Sequence, residues 1–424
     1  MTTGAAFAFL WTLTATTLIA QPPPAAPANL LSRFRASVNT LLGRLPDYTC
    51  VESIARSRRT SGGDGFHPLD SIRLQVGLIG GRERYTWPDA ARFDDRELRD
   101  LIGRGIIGTG DFAAHVHHVF LSPATQFTPK GTEAFHNRQA ARFDYEVPVE
   151  YSRYKLRVGA GEAEVGVRGT FWVDLQVFDL LRLEVYADEI PPELGMSRVS
   201  EVIEYARTPI AGSDFLLPIS SELSMVALDG VEHRNQITFT ECRQFQAASS
   251  VHFDADDHTE PSRISPKTAA ALPPSLRIDL TLDSDVDPER AALGDSIRAI
   301  IARPVQNAGQ LIVREGAIVH GRVVRLERAD QPFDHYIVGL EFHTLETADG
   351  RVDFFATMQD AGPVPGLLRQ AKHLDPVFTR KRTRRLDVLV SEKPRGEGIL
   401  LWDAKHPQIR RGLKMRWVTT DPVR

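Results

Sequence analysis

Leu30, Leu31, Phe34, Val38, Leu41 and Leu42 recur at intervals of three and four residues, a spacing that predicts an amphipathic helix ending before Pro46. From Asp47 the period shortens to two. The segments DYTCVESIARSRR, SIRLQVGLIGGRERYTW, QAARFDYEVPV, SRYKLRVG, RGTFWVDLQ, LLRLEVYAD, SRVSEVIEYAR, ISSELSMVAL and HRNQITFTECRQF are short, rich in β-branched and aromatic residues, and separated by Gly, Pro or Asp turns. Strands so close in sequence are expected to pair antiparallel. Helical spacing returns between Asp94 and Phe127, where Leu98, Leu101, Ile102, Ile106 and Ile107, then Phe112, Val116, Val119 and Phe120, suggest two short helices about a glycine-rich break. A curved sheet with helices laid on one face is the simplest packing that buries both apolar surfaces.

The pattern then lapses. Residues 247–275 are small, polar, acidic and proline-bearing, without a period, and read as a linker between a first unit at 47–246 and a second at 276–424. The second unit is again strand-like, in SIRAIIARPVQ, LIVREGAIVHGRVVRLERA, HYIVGLEFHTLETADGRVDFFATM, RRLDVLVSEK, GEGILLWD and RGLKMRWVTT, with turns or bends expected at Gly316 and Gly321. Such pieces build small barrels. The predicted class is therefore mainly β with some α: an antiparallel half-barrel with helices on its concave face, followed by a small β-barrel.

Composition narrows the setting. Residues 1–20 are apolar and Thr-rich and lack an acidic side chain, and a proline-rich run within 21–46 follows; this reads as an export signal cleaved after Ala20, with a retained N-terminal anchor as the alternative. Elsewhere no run of apolar residues reaches membrane-spanning length. With 51 basic against 55 acidic residues and a net charge of −4, a general polyanion binder is disfavoured and no nucleic-acid partner is expected.

The leading helix, the meander, the helical insertion and the segment VRGTFWVDLQVFDLLRLEVYADEIP together resemble the bacterial lipoprotein-carrier family, of the LolA, LolB and RseB kind, over about residues 29–245. That resemblance implies an incomplete barrel closed by helices, whose concave apolar face holds acyl chains. On it, Phe171, Val173, Leu181, Leu183 and Val185 could line a lipid groove; the plain alternative is a core covered by helices. It also places Cys50 in the first strand and Cys242 in the last, so that in an oxidising compartment a disulfide would tie the two ends of the sheet; two unpaired thiols remain the other reading. The C-terminal half, over about residues 276–418, resembles the β-barrel domain of TrbI-type subunits of type IV secretion channels, which implies a module that docks on an envelope partner.

Chemical motifs are sparse. His115, His117 and His118 lie in HVHH, but on a helix only His115 and His118 share a face, too few ligands for zinc, and no metal or cofactor is expected. His252 and His258 fall in the linker. Arg380, Lys381, Arg382, Arg384 and Arg385 form a basic run that could meet lipid headgroups or a partner. No GxSxG, HExxH or phosphate-binding loop is present, and no catalytic residue is assigned. The sequence thus points to an exported protein of the periplasm or cell envelope. Its half-barrel would bind an apolar or lipidic ligand or a lipoprotein, with peripheral membrane contact open to it; the alternatives are a ligand-free component of an envelope assembly and a hydrolase whose site has no sequence motif.

Overall fold

The computed structural model describes residues 27–88, 90, 93, 98–102, 114–158, 161–245, 272–329, 333–347, 350–370 and 396–421. The signal segment, the linker up to residue 271 with His252 and His258, and the basic run from Arg380 to Arg385 lie outside the described residues.

Helix α1 (Pro27–Arg44) opens the described chain. Strands β1 (Tyr48–Arg59), β2 (His67–Ile79) and β3 (Arg82–Thr86) form two hairpins. Short helices α2 (Leu98–Ile102) and α3 (Ala114–Leu121) follow, as the helical spacing predicts. Next come β4 (Gln126–Phe135), β5 (Arg138–Val147), the single turn α4 (Val149–Ser152), β6 (Tyr154–Val158), β7 (Gly161–Asp174) and β8 (Leu180–Asp188). The long strands β9 (Met196–Ile210), β10 (Ser213–Ala227) and β11 (Glu232–Gln244) complete the sheet. Its order is β3-β2-β1-β11-β10-β9-β8-β7-β5-β4, with β6 added beside β7, and every pairing is antiparallel. It curls into a half-barrel over the helices.

The expectation for the cysteines is half right. Cys50 and Cys242 are bonded across 192 residues of chain. They do not tie the ends of the sheet, because β1 and β11 are direct neighbours inside it. The bond sits where the β1–β11 register shifts between Thr49 and Val51, at a bulge that leaves the ladder locally incomplete.

The second sheet comprises β12 (Arg277–Leu282), β13 (Ser296–Ile301), β16 (Ile318–Ala329), β17 (His335–Thr347), β18 (Gly350–Asp353), β19 (Ala356–Ala361), β20 (Leu367–Gln370), β21 (Glu397–Asp403) and β22 (Lys414–Thr419), with the separate hairpin β14 (Val305–Asn307) and β15 (Gln310–Val313). Its order is β19-β22-β12-β13-β16-β17-β21-β20, and β18 pairs with β17. The sheet closes on itself by side-chain packing: a Cβ at Gly398 of β21 would meet the Met358 side chain of β19 at 2.6 Å, so glycine lets the two strands approach. Trp402, Trp417, Phe342 and Phe354 fill this small barrel.

One buried cluster spans the two sheets. Ile72 of β2 bridges Leu293 in parallel, Arg73 N donates to Leu293 O at 2.7 Å and Leu293 N to Ser71 O at 2.8 Å, and Arg73 is ion-paired with Asp295. The Arg322 guanidinium lies 5.5 Å from the Trp87 ring. Gly294 makes this junction possible: its φ is +94°, and a Cβ there would stand 2.3 Å from Arg73 O and 2.7 Å from the Trp87 ring. Gly294→Val is expected to cost about 2 kcal/mol or more and to split thermal unfolding into two transitions by calorimetry, since it forces both a strained φ and a backbone clash. A single unshifted transition would contradict this account of the junction.

Candidate functional site

The concave face is built from the alternate residues of each strand. Reading across the registers, Phe143, Phe171, Leu183, Ile203, Ser221, Ile237, Ile54 and Ile72 form one row, and Tyr145, Gly169, Val185, Glu201, Leu223 and Asn235 the next. Helix α1 lies over this face because Leu30, Phe34 and Val38 fall at i, i+4 and i+8. Phe34 meets Phe120 edge-on at 4.9 Å and stacks on Phe171 at 5.6 Å, and Phe143 also stacks on Phe171, at 5.2 Å. The Arg35 Nε donates to Phe120 O at 2.9 Å, fastening α1 to the end of α3.

The candidate lipid-lining residues are divided by this packing. Phe171, Val173, Leu183 and Val185 belong to the buried cluster beneath α1, whereas Leu181 packs with Ala140 and Trp172 in a separate cluster. The alternation expected through β8 is interrupted because the β7–β8 register shifts between Trp172 and Val173, which pairs Val173 with Leu180.

One turn beyond Phe34 the seal opens. Val38, Leu41 and Leu42 on α1, with Leu45 just past its end, face Phe178 of the β7–β8 turn and Leu180, Tyr205, Leu216, Leu217 and Pro218 of the sheet across a groove, with Tyr48 and Val116 also lining it and Ser37 and Asp179 as polar members. The space within it is about 40 Å³, room for a few waters at most.

A second feature of the same interior is polar. Glu201 of β9 accepts from Ser221 Oγ at 2.7 Å, and its other oxygen lies 2.9 Å from His115 Nε2. The carboxylate stands between hydroxyl and imidazole, so the hydroxyl is committed to Glu201; a nucleophile–base pair needs the imidazole on the hydroxyl. We read the trio as a clamp that fixes α3 to the sheet. Glu52 of β1 is 1% exposed, and among the described residues its Oε2 has no hydrogen-bond partner. Burial first, then the carboxylates of Glu83 and Glu201, push its carboxyl up to about 8, so it is protonated at neutral pH. Burial, and then Glu83, likewise raise the Tyr48 hydroxyl. His118 is held below its ordinary value by burial and by the neighbouring His115, His117 and Arg153, which keeps it neutral. Among the described residues no three potential ligands converge on a metal position.

Sequence reasoning passed over Glu52, Glu201 and Ser221. The signal was present for the two acids: Glu52 stands midway between Cys50 and Ile54, and Glu201 between Val199 and Ile203, each a charge at a position whose parity faces inward. The groove could not be read, because its walls come from α1, the β7–β8 turn and β10, far apart in the chain.

A mainly β protein of two curled antiparallel sheets, with a helix-covered concave face, is what these elements define. No protein-family model matches the chain, and no curated protein matches it. Among solved structures, a crystal structure of a DUF1329 family protein from Desulfovibrio piger is similar over 53% of this chain and 96% of its own, at 12% sequence identity and a TM-score of 0.30. At that distance the likeness carries no argument about this chain. The resemblance of the C-terminal half to TrbI-type subunits finds no support.

Proposed function

We propose that this chain is an exported binding protein whose half-barrel receives an apolar chain in the groove beneath the C-terminal half of α1, while the small barrel docks an envelope partner. The observation that carries the reading is the groove itself, an aliphatic and aromatic opening in a concave face that is otherwise densely packed. Export is supported by the Cys50–Cys242 bond together with the apolar N-terminal segment. Phe171, Val173, Leu183 and Val185 would serve as the deeper floor of such a site, behind the Phe34 plug.

The small space within the groove favours a second reading, a ligand-free structural component. Native mass spectrometry of the protein purified gently from the periplasm separates the two. A co-purified acyl species is expected, and Leu42→Trp, which fills the groove from its helical wall, is expected to remove it while leaving the far-ultraviolet circular dichroism unchanged. A ligand-free chain in a defined oligomer would overturn the binding role in favour of the structural one.

A further inference from the structure

We infer that Phe178, with Arg33 resting on it, is the gate of the groove, and that the gate favours a single-chain amphiphile with an anionic head; this rests on the binding role proposed above. The groove's space of about 40 Å³ is too small to take in an acyl chain, so some wall must move. Helix α1 is a poor candidate, because Phe34 is fully buried in an aromatic cluster and Arg35 is bonded to α3. The β7–β8 turn is a better one. Phe178 lines the groove and has a φ of 59°, a left-handed conformation that a bulky side chain adopts only when its surroundings impose it.

Those surroundings are two fixed posts. On one side Asp174 accepts from the backbone of Gln176 at 2.7 Å and Val177 at 3.1 Å, and receives Phe178 N on its carbonyl at 3.1 Å. On the other, Asp179 is gripped by two nitrogens of Arg207, each at 2.7 Å. Between them the Phe178 side chain is the part left to turn, and the side chain of the neighbouring Val177 is half-exposed and packs in none of the buried clusters.

Arg33 completes the device. It precedes the groove-lining Ser37 by one helical turn, and its guanidinium stands 4.3 Å from the centre of the Phe178 ring. Among the described residues no carboxylate pairs with it. A chain that displaces the ring frees this cation at the groove mouth, where an anionic head replaces the lost stacking and a neutral head does not.

The test is stopped-flow binding of the fluorescent fatty acid cis-parinaric acid, and of its methyl ester, to the disulfide-intact mature protein. Wild type is expected to bind the acid in preference to the ester. Phe178→Gly keeps the left-handed turn without its ring and is expected to bind the acid about tenfold faster, because the closed state no longer has to be displaced. Phe178→Asn, which also accepts a positive φ, serves as the second variant. Arg33→Gln is expected to lose the preference for acid over ester. Binding that Leu42→Trp abolishes but both Phe178 variants leave at wild-type speed would overturn the gate alone. Equal binding of acid and ester by wild type would overturn the anionic preference. No binding to wild type or to the Phe178 variants would overturn the binding role itself.

Discussion

Replacing Glu52 by Gln is expected to raise the thermal stability of the protein at pH 8 relative to that at pH 5, and so to flatten its pH dependence. The reason is a buried carboxyl whose proton is held first by burial and then by the carboxylates of Glu83 and Glu201. In the unfolded chain Glu52 releases its proton near the ordinary value of 4.5, whereas in the fold it holds it up to about 8. Between those values the native state binds the extra proton, so stability is complete below the lower value and is lost as pH rises toward the upper one, by about 1.4 kcal/mol per pH unit. Over the whole window of about 3.5 pH units the loss approaches about 5 kcal/mol, on the order of 10 °C in melting temperature for a protein of this size. Gln keeps the shape and does not titrate. An amide that finds no acceptor offsets the gain by about 1–3 kcal/mol, so the readout is the change in the difference between variant and wild type across pH rather than its value at any one pH. Thermal unfolding followed by circular dichroism between about pH 5 and pH 8 measures it; parallel curves for the two proteins would remove Glu52 as the source.

The role of Glu52 also shows which parts of the molecule the sequence makes legible. Helix α1 was readable because Leu30, Phe34 and Val38 are fixed by a local period, and local periods survive folding. The antiparallel half-barrel and the small barrel followed from strand length and turn spacing. Strand order did not. That β1 lies between β2 and β11 is a long-range pairing, decided by contacts that no window of the chain contains, and so the disulfide was placed at the ends of the sheet instead of between neighbours. Leu181 shows a different failure. A single register shift in β7–β8 turned it away from Leu183, because strict alternation holds only where the ladder is regular. The junction between the sheets depends on one bridge from Ile72 to Leu293 and on the missing side chain of Gly294, features that look like ordinary strand and turn residues until the two segments meet.

Removing the disulfide, by Cys50→Ala with Cys242→Ala, is expected to be the most damaging change short of breaking a core. Closing a loop of 192 residues restricts the unfolded chain by about 5 kcal/mol on the entropy model, and losses of about 2–5 kcal/mol are usual when native disulfides are removed. The position of the bond adds a local consequence. The β1–β11 ladder joins strands β1, β2 and β3 to the rest of the half-barrel, and the bond sits where that ladder shifts register. Strand β2 in turn carries the backbone bonds that dock the small barrel, from Ser71 and Arg73 to Leu293. Loosening the bulge therefore loosens the junction, although the two are separate contacts. Thermal unfolding should fall by about 10 °C, and amide hydrogen exchange at Arg73 and Leu293 should quicken before that of β7 and β8. A variant whose melting temperature and exchange at Leu293 both match the wild type would show that the β1–β11 ladder holds the two sheets together without its covalent staple.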